Sequence, residues 1–87
     1  MESTYTIADK TYNVTSTEGQ DFTGKILLIR AAHLAPIYQN GDRRFHATGG
    51  FGCSPTSIGR AVFGTFLVDG EHARMDRANF EGVLTDI

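Results

Sequence analysis

Apolar and polar residues alternate from the start of the chain. In YTIADKTYNVT, Tyr5 and Ile7 are separated by polar positions, as are Tyr12 and Val14, with Asp9 and Lys10 between the two runs. A period of two in Tyr-, Thr- and Val-rich sequence predicts a β-hairpin turning at Asp9-Lys10. STEGQDFTGK then reads as a polar loop punctuated by Gly19 and Gly24, with Phe22 as its anchor to the core. Ile26, Leu27, Leu28 and Ile29 form an unbroken apolar run, the pattern of a strand buried on both faces. Beyond it, Ala31 to Ala35 suit one helical turn stopped by Pro36, and Asn40-Gly41-Asp42 suits a turn. Phe45 and Ala47 alternate with His46 and Thr48 as a short strand.

The second half alternates again. In RAVFGTFLVDGEHARMDR, Asp69-Gly70 predicts a two-residue hairpin turn. That turn pairs Val68 with Glu71, Phe66 with Ala73, Gly64 with Met75 and Val62 with Arg77. It gathers Val62, Phe66, Ala73 and Met75 on one apolar side, with Gly64 leaving room for Met75. Ile58, Ala61, Val62, Thr65 and Phe66 also fit a helical stripe, but Gly59 and Gly64 would each cost such a helix about 1 kcal/mol. A turn over 55–59 followed by a strand is the preferred reading. Phe80, Val83 and Leu84 predict a last short strand or a tail packed on the sheet. The expected fold is a single domain over residues 1–87, mainly β: a small barrel or a strongly bent antiparallel sheet with one or two short helical turns.

At 87 residues the core is small. No apolar run reaches the roughly 20 residues of a membrane span, and the N-terminus shows no signal-peptide pattern. The single cysteine, Cys53, has no disulfide partner in the chain, which points to a reducing, cytoplasmic setting. Cys53, His33, His46 and His72 lack the paired spacings of a metal site, so neither metal nor cofactor is expected.

Charge changes the picture more. The net charge is −2, but residues 1–24 carry −3, residues 25–60 carry +4 and residues 61–87 carry −3. The basic third contains ATGGFGCSPTSIGR, Ala47 to Arg60. Gly49, Gly50 and Gly52 allow backbone angles closed to other residues. Ser54-Pro55 reads as a helix start with Ser54 as N-cap, and Thr56 adds a hydroxyl to the first turn. Amides in such a loop attract anions. Arg43, Arg44, Gly49, Gly50, Phe51, Gly52, Ser54, Thr56 and Arg60 are therefore the candidate binding residues. The loop is neither a dinucleotide fingerprint nor a P-loop, and its glycines also suit a plain corner of the sheet beside a buried Phe51.

GGFGCSPTSIGRAVFGTFLVDGEHAR, Gly49 to Arg74, resembles a pattern in short bacterial proteins, some from phages and mobile elements. The resemblance implies an accessory or inhibitor protein that works by stoichiometric binding, and it assigns no catalytic residue. The leading expectation is a non-enzymatic protein presenting the loop to an acidic protein surface or an anionic, nucleotide-like ligand. Three other readings stand beside it. Phe45 and Tyr38 flank the arginines as stacking rings in a single-stranded nucleic-acid module would. Cys53 would be the nucleophile of a small thiol enzyme, although an isolated cysteine is more often a small buried hydrophobe. An exposed edge strand would favour a homodimer.

Overall fold

A computed structural model describes residues 4–31 and 41–87. Among the described residues there are seven strands: β1 (Thr4–Ile7), β2 (Lys10–Thr15), β3 (Ile26–Ile29), β4 (Arg44–Gly49), β5 (Ala61–Phe66), β6 (His72–Asp76) and β7 (Phe80–Asp86). They form one antiparallel sheet in the order β1-β2-β7-β3-β4-β5-β6. Two 3-10 turns, Phe51–Cys53 and Arg77–Asn79, precede β5 and β7. The sheet is bent and open, with β1 and β6 as its edges, so the barrel alternative is not realised. All but Ala31 of the helical turn expected over Ala31–Ala35, and the Asn40 end of the next turn, lie outside the described residues.

Each strand follows from its local pattern. Leu27, Leu28 and Ile29 of β3 are fully buried because β3 lies mid-sheet with both faces covered. Leu27 and Ile29 join Phe22, Phe45, Ala47, Cys53, Val62, Phe80 and Val83 on one face. Leu28 joins Tyr12 and Leu84, with Tyr5, Ile7, Val14 and Ile26, on the other. Burying one large apolar side chain is worth roughly 1.5–3 kcal/mol, so these two clusters supply most of the drive to fold. On the Leu27 face the Phe45 ring meets Phe66 edge-on at 5.4 Å and Phe80 at 5.3 Å. Phe22 reaches this core from the 16–25 loop, and its N–H donates to the Cys53 carbonyl at 3.1 Å.

The bend shows in one hydrogen bond. The Tyr5 hydroxyl on β1 accepts from the Arg43 N–H, just before β4, at 3.0 Å. In a flat sheet strands four places apart would stand roughly 19 Å from one another. The β1–β2 end therefore curls over the Leu28 face.

Both hairpins form with registers shifted from expectation. The first turns at Ala8-Asp9, both at positive φ (50° and 64°), with Ile7 opposite Lys10 and Tyr5 opposite Tyr12. In the second, Val62 faces Met75, Gly64 faces Ala73 and Thr65 faces His72, two residues away from the expected pairing. Its loop is Leu67–Gly70. The Gly70 N–H donates to the Phe66 carbonyl at 2.8 Å, and the Leu67 N–H is drawn to the Arg44 carbonyl on β4 at 3.2 Å. A two-residue shift keeps every side chain on its expected face. It also revises the role of Gly64, whose closest neighbours are the His46 backbone and the Phe45 ring rather than Met75.

Candidate functional site

The β4–β5 connection carries the glycines. A register shift between Ala47 and Gly49 interrupts the β4–β5 ladder, which closes with Gly49 opposite Phe63 before the chain enters the loop. Gly50 follows at φ 110°, where a Cβ would also lie 2.3 Å from the Ala61 carbonyl oxygen. A Cβ on Gly52 would lie 2.4 Å from the Arg60 carbonyl oxygen. The loop doubles back on itself, backbone against backbone, and only glycine permits that approach.

The expected helix start at Ser54 is not formed. The 3-10 turn comes earlier, over Phe51–Cys53, and Ser54 leaves it extended at φ −91°, ψ 134°. Pro55 disfavours helical geometry in the residue before it. Ser54 instead closes a local turn by accepting from the Thr56 N–H at 3.3 Å. Several loop amides are already committed: Cys53 to the Gly50 carbonyl, Ser54 to the Phe51 carbonyl and Gly59 to the Ser57 hydroxyl. From outside the loop, Arg77 clamps it. Its guanidinium donates to the carbonyls of Gly52, at 2.7 Å, and Ser54, and its N–H donates to the Arg60 carbonyl at 2.9 Å.

Cys53 is fully buried in the core, and its thiol donates to the Gly49 carbonyl at 3.4 Å. Burial pushes the thiol pKa up, the opposite of what activates a nucleophile. His46 and His72 pair with Ile26 and Thr65 on the Leu28 face, across the sheet from Cys53, and His33 lies outside the described residues. Among the described residues no three His, Cys, Asp or Glu side chains gather as metal ligands do.

The three candidate arginines do not converge. Arg43 and Arg44 stand at the start of β4, and Arg60 stands beyond its far end; the intervening strand spans roughly 20 Å. Arg44 grips Asp42 through Nε at 2.8 and 3.0 Å and Nη2 at 2.6 Å, and donates from Nη1 to the Tyr12 hydroxyl at 3.0 Å. Burial pushes the Asp42 carboxyl pKa up, but the Arg44 hydrogen bonds outweigh it and hold the group below its ordinary value. Arg43 donates to the Ile29 carbonyl at 2.9 Å and to Glu81 at 3.3 Å, and lies over the Tyr5 ring. The Arg43 side chain is only 13% exposed.

Arg60 sits differently. It pairs with Asp76 at 2.9 Å, and both side chains are about half exposed. This pair lines an open hollow of about 490 Å³ with Phe51, Gly59, Ala61, Arg74, Met75 and Asn79. Phe51 is 75% exposed and Ile58 wholly so, which overturns the buried reading of Phe51. Of the expected site residues, Phe51 and Arg60 line the hollow, and Gly50, Gly52, Ser54 and Thr56 build the loop beside it. Arg74, Asp76 and Asn79 were missed. They come from the acidic last third, and the true β5–β6 register, with Arg74 opposite Phe63, is the signal that places them there. Phe45, the proposed stacking ring, is fully buried, and Tyr38 lies outside the described residues.

Comparisons of the chain with protein-family models, with curated proteins and with solved structures found no match.

Proposed function

We propose that the protein is a non-enzymatic binding protein, and that the hollow between the glycine loop and β6 receives an acidic segment of a protein partner. The observation that carries the reading is the exposed ring of Phe51 set beside two exposed cations, Arg60 and Arg74, around one hollow, with the exposed Ile58 adjacent in the chain to its Gly59 wall. Apolar anchors beside charge are the usual makings of a protein recognition site. An acidic protein segment suits it better than a free nucleotide, because the Cys53, Ser54, Thr56 and Gly59 amides already donate within the loop and the expected helix start at Ser54 is not formed. A stoichiometric accessory role, as the resemblance to phage and mobile-element proteins implies, agrees with this reading.

The test is an amide-shift titration by NMR with an extended peptide of alternating glutamate and valine, at low and high salt, and with ATP in parallel. Shifts gathered at 50–60 and 72–79, weakened by salt and by Arg60→Ala, are the expected result. Shifts elsewhere, or with ATP alone, would overturn it.

A further inference from the structure

The outer edge of the sheet at β6 has a defined hydrogen-bonding face. The Arg77 N–H donates to the Arg60 carbonyl and the Phe66 N–H to the Glu71 carbonyl, so Arg60–Arg77 and Phe66–Glu71 are inward-bonded pairs. Alternation along an antiparallel ladder makes Val62–Met75 and Gly64–Ala73 inward-bonded as well. The N–H and C=O groups of His72 and Arg74 therefore point away from the sheet. The open stretch is short. Beyond it the Asp76 N–H is closed by the Asn79 side chain at 2.7 Å, and the Gly70 N–H is closed by Phe66.

Charge is unevenly spread along this edge. The hairpin tip carries Asp69 and Glu71 beside Val68, which is about half exposed. The opposite end carries Arg74 and the Arg60–Asp76 pair around the hollow. A strand with an acidic, apolar tip at one end and a basic hollow at the other complements itself when reversed. The other edge, β1, is TYTI and has no charge to do this.

We propose that two copies of the chain join through β6 in an antiparallel, two-fold pairing centred on Ala73. In that register His72 of each copy exchanges both backbone hydrogen bonds with Arg74 of the other, which uses every outward group of the open stretch. The Val68–Glu71 tip of each copy lies at the other's hollow. A two-fold centred on Arg74 would set two arginines opposite each other, and one centred on His72 would oppose Arg74 to the closed Gly70. The dimer is a closed assembly whose two sheets become one. It stands on the geometry of the edge and not on the partner reading, and it occupies the same hollow, so an acidic partner would compete with it.

Sedimentation equilibrium of the intact chain, from about 1 µM to about 1 mM, tests this over the range where so small an interface operates. The expected result is a reversible monomer–dimer equilibrium with no larger species. Arg74→Pro removes an outward N–H, the one kind a strand edge can spare, together with the guanidinium at the hollow. It should weaken the dimer at least about tenfold, since two symmetric bonds are lost. Glu71→Lys, which brings a cation to the other copy's basic hollow, should also weaken it. On the unsubstituted protein, exchange of the His72 and Arg74 amides should slow as concentration rises, a readout that holds even if Arg74→Pro fails to fold. A monomer at every concentration, an open-ended series of oligomers, a dimer indifferent to a folded Arg74→Pro, or amide exchange independent of concentration would each overturn the proposal. A monomer that still responds to the acidic peptide would overturn this inference alone and leave the partner reading intact.

Discussion

The two ends of β4 hold the same kinds of residue and use them in opposite ways. At its start, Arg43 and Arg44 are drawn in among Tyr5, Tyr12, Asp42 and Glu81, and their side chains are mostly covered. Beyond its end, Arg60 and Arg74 stand in solvent beside Phe51 and a hollow. The first group ties the β1–β2 end of the sheet to β3 and β4. The second group has little to tie. An arginine's role is set by what surrounds it, and two arginines from one basic stretch of sequence belong to the frame while another belongs to the surface.

The largest effect should come from the layer beneath the covered arginines. Leu28 is fully buried with Tyr12 and Leu84. Leu28→Ala should cost about 2–5 kcal/mol, enough to unfold much of so small a chain, whereas Phe51→Ala should leave the melting temperature nearly unchanged. Equal losses in thermal or urea unfolding would erase the distinction between the two ends.

Next in size is the Asp42–Arg44 pair. Removing one partner of a largely covered, bidentate pair leaves the other poorly solvated. Discounted for partial exposure, Asp42→Ala should cost about 2 kcal/mol, and Asp76→Ala should cost less, through its cap on the Arg77–Asn79 turn rather than through its exposed pair with Arg60. The pH dependence has a definite sign. The folded pKa of Asp42 lies below its unfolded value, so the pair's contribution is fully present above about 3.9 and is lost as pH falls through the lowered folded value. Asp42→Asn should flatten the acid limb of a stability–pH curve in that window. A curve identical to the parent's would show that Asp42 is not part of the frame.

Much of the frame was legible because its signals are local. The Ile26–Ile29 run, the Phe22 anchor and the alternation through Phe45, Val62, Phe66 and Phe80 all appear in the sheet where the sequence places them. Register was not legible, because distant bonds decide it. Leu67 leaves the expected β5–β6 ladder to bond Arg44 on β4, while the first hairpin aligns Tyr12 with Asp86 and Val14 with Leu84 on β7. Ala8 accepts positive φ to keep that alignment. The charge blocks misled for the same reason. The basic third and the acidic last third read as a surface for partners, yet Arg43 meets Glu81 and Arg60 meets Asp76 once the chain is folded. The hollow could not be foreseen from the loop alone, since half of its lining comes from β6 and the turn after it.

A smaller effect separates two glycines, Gly50 at the exposed end and Gly70 in the β5–β6 loop beside Arg44. Gly50 and Gly70 both have positive φ, but a Cβ on Gly50 meets the Ala61 carbonyl whereas Gly70 faces open space. Gly70→Val should cost about 1–2 kcal/mol from backbone strain alone, and Gly50→Ala should cost more and disturb the hollow. Comparing the two melting curves, and the Phe51 and Arg60 amide shifts in each, checks this. A Gly50→Ala protein that melts and resonates like the parent would mean that the doubled-back loop is not formed.

The most direct test sets one end of β4 against the other in two double variants, Arg43→Ala/Arg44→Ala and Arg60→Ala/Arg74→Ala. Each is followed by thermal unfolding and by titration with the glutamate–valine peptide at low salt. The expected result is a crossed one: the first pair lowers the melting temperature and leaves the affinity of the folded protein intact, and the second leaves the melting temperature intact and loses the affinity. A stable, fully folded Arg43→Ala/Arg44→Ala protein that no longer binds, or an Arg60→Ala/Arg74→Ala protein that binds like the parent, would contradict the division of labour between the two ends.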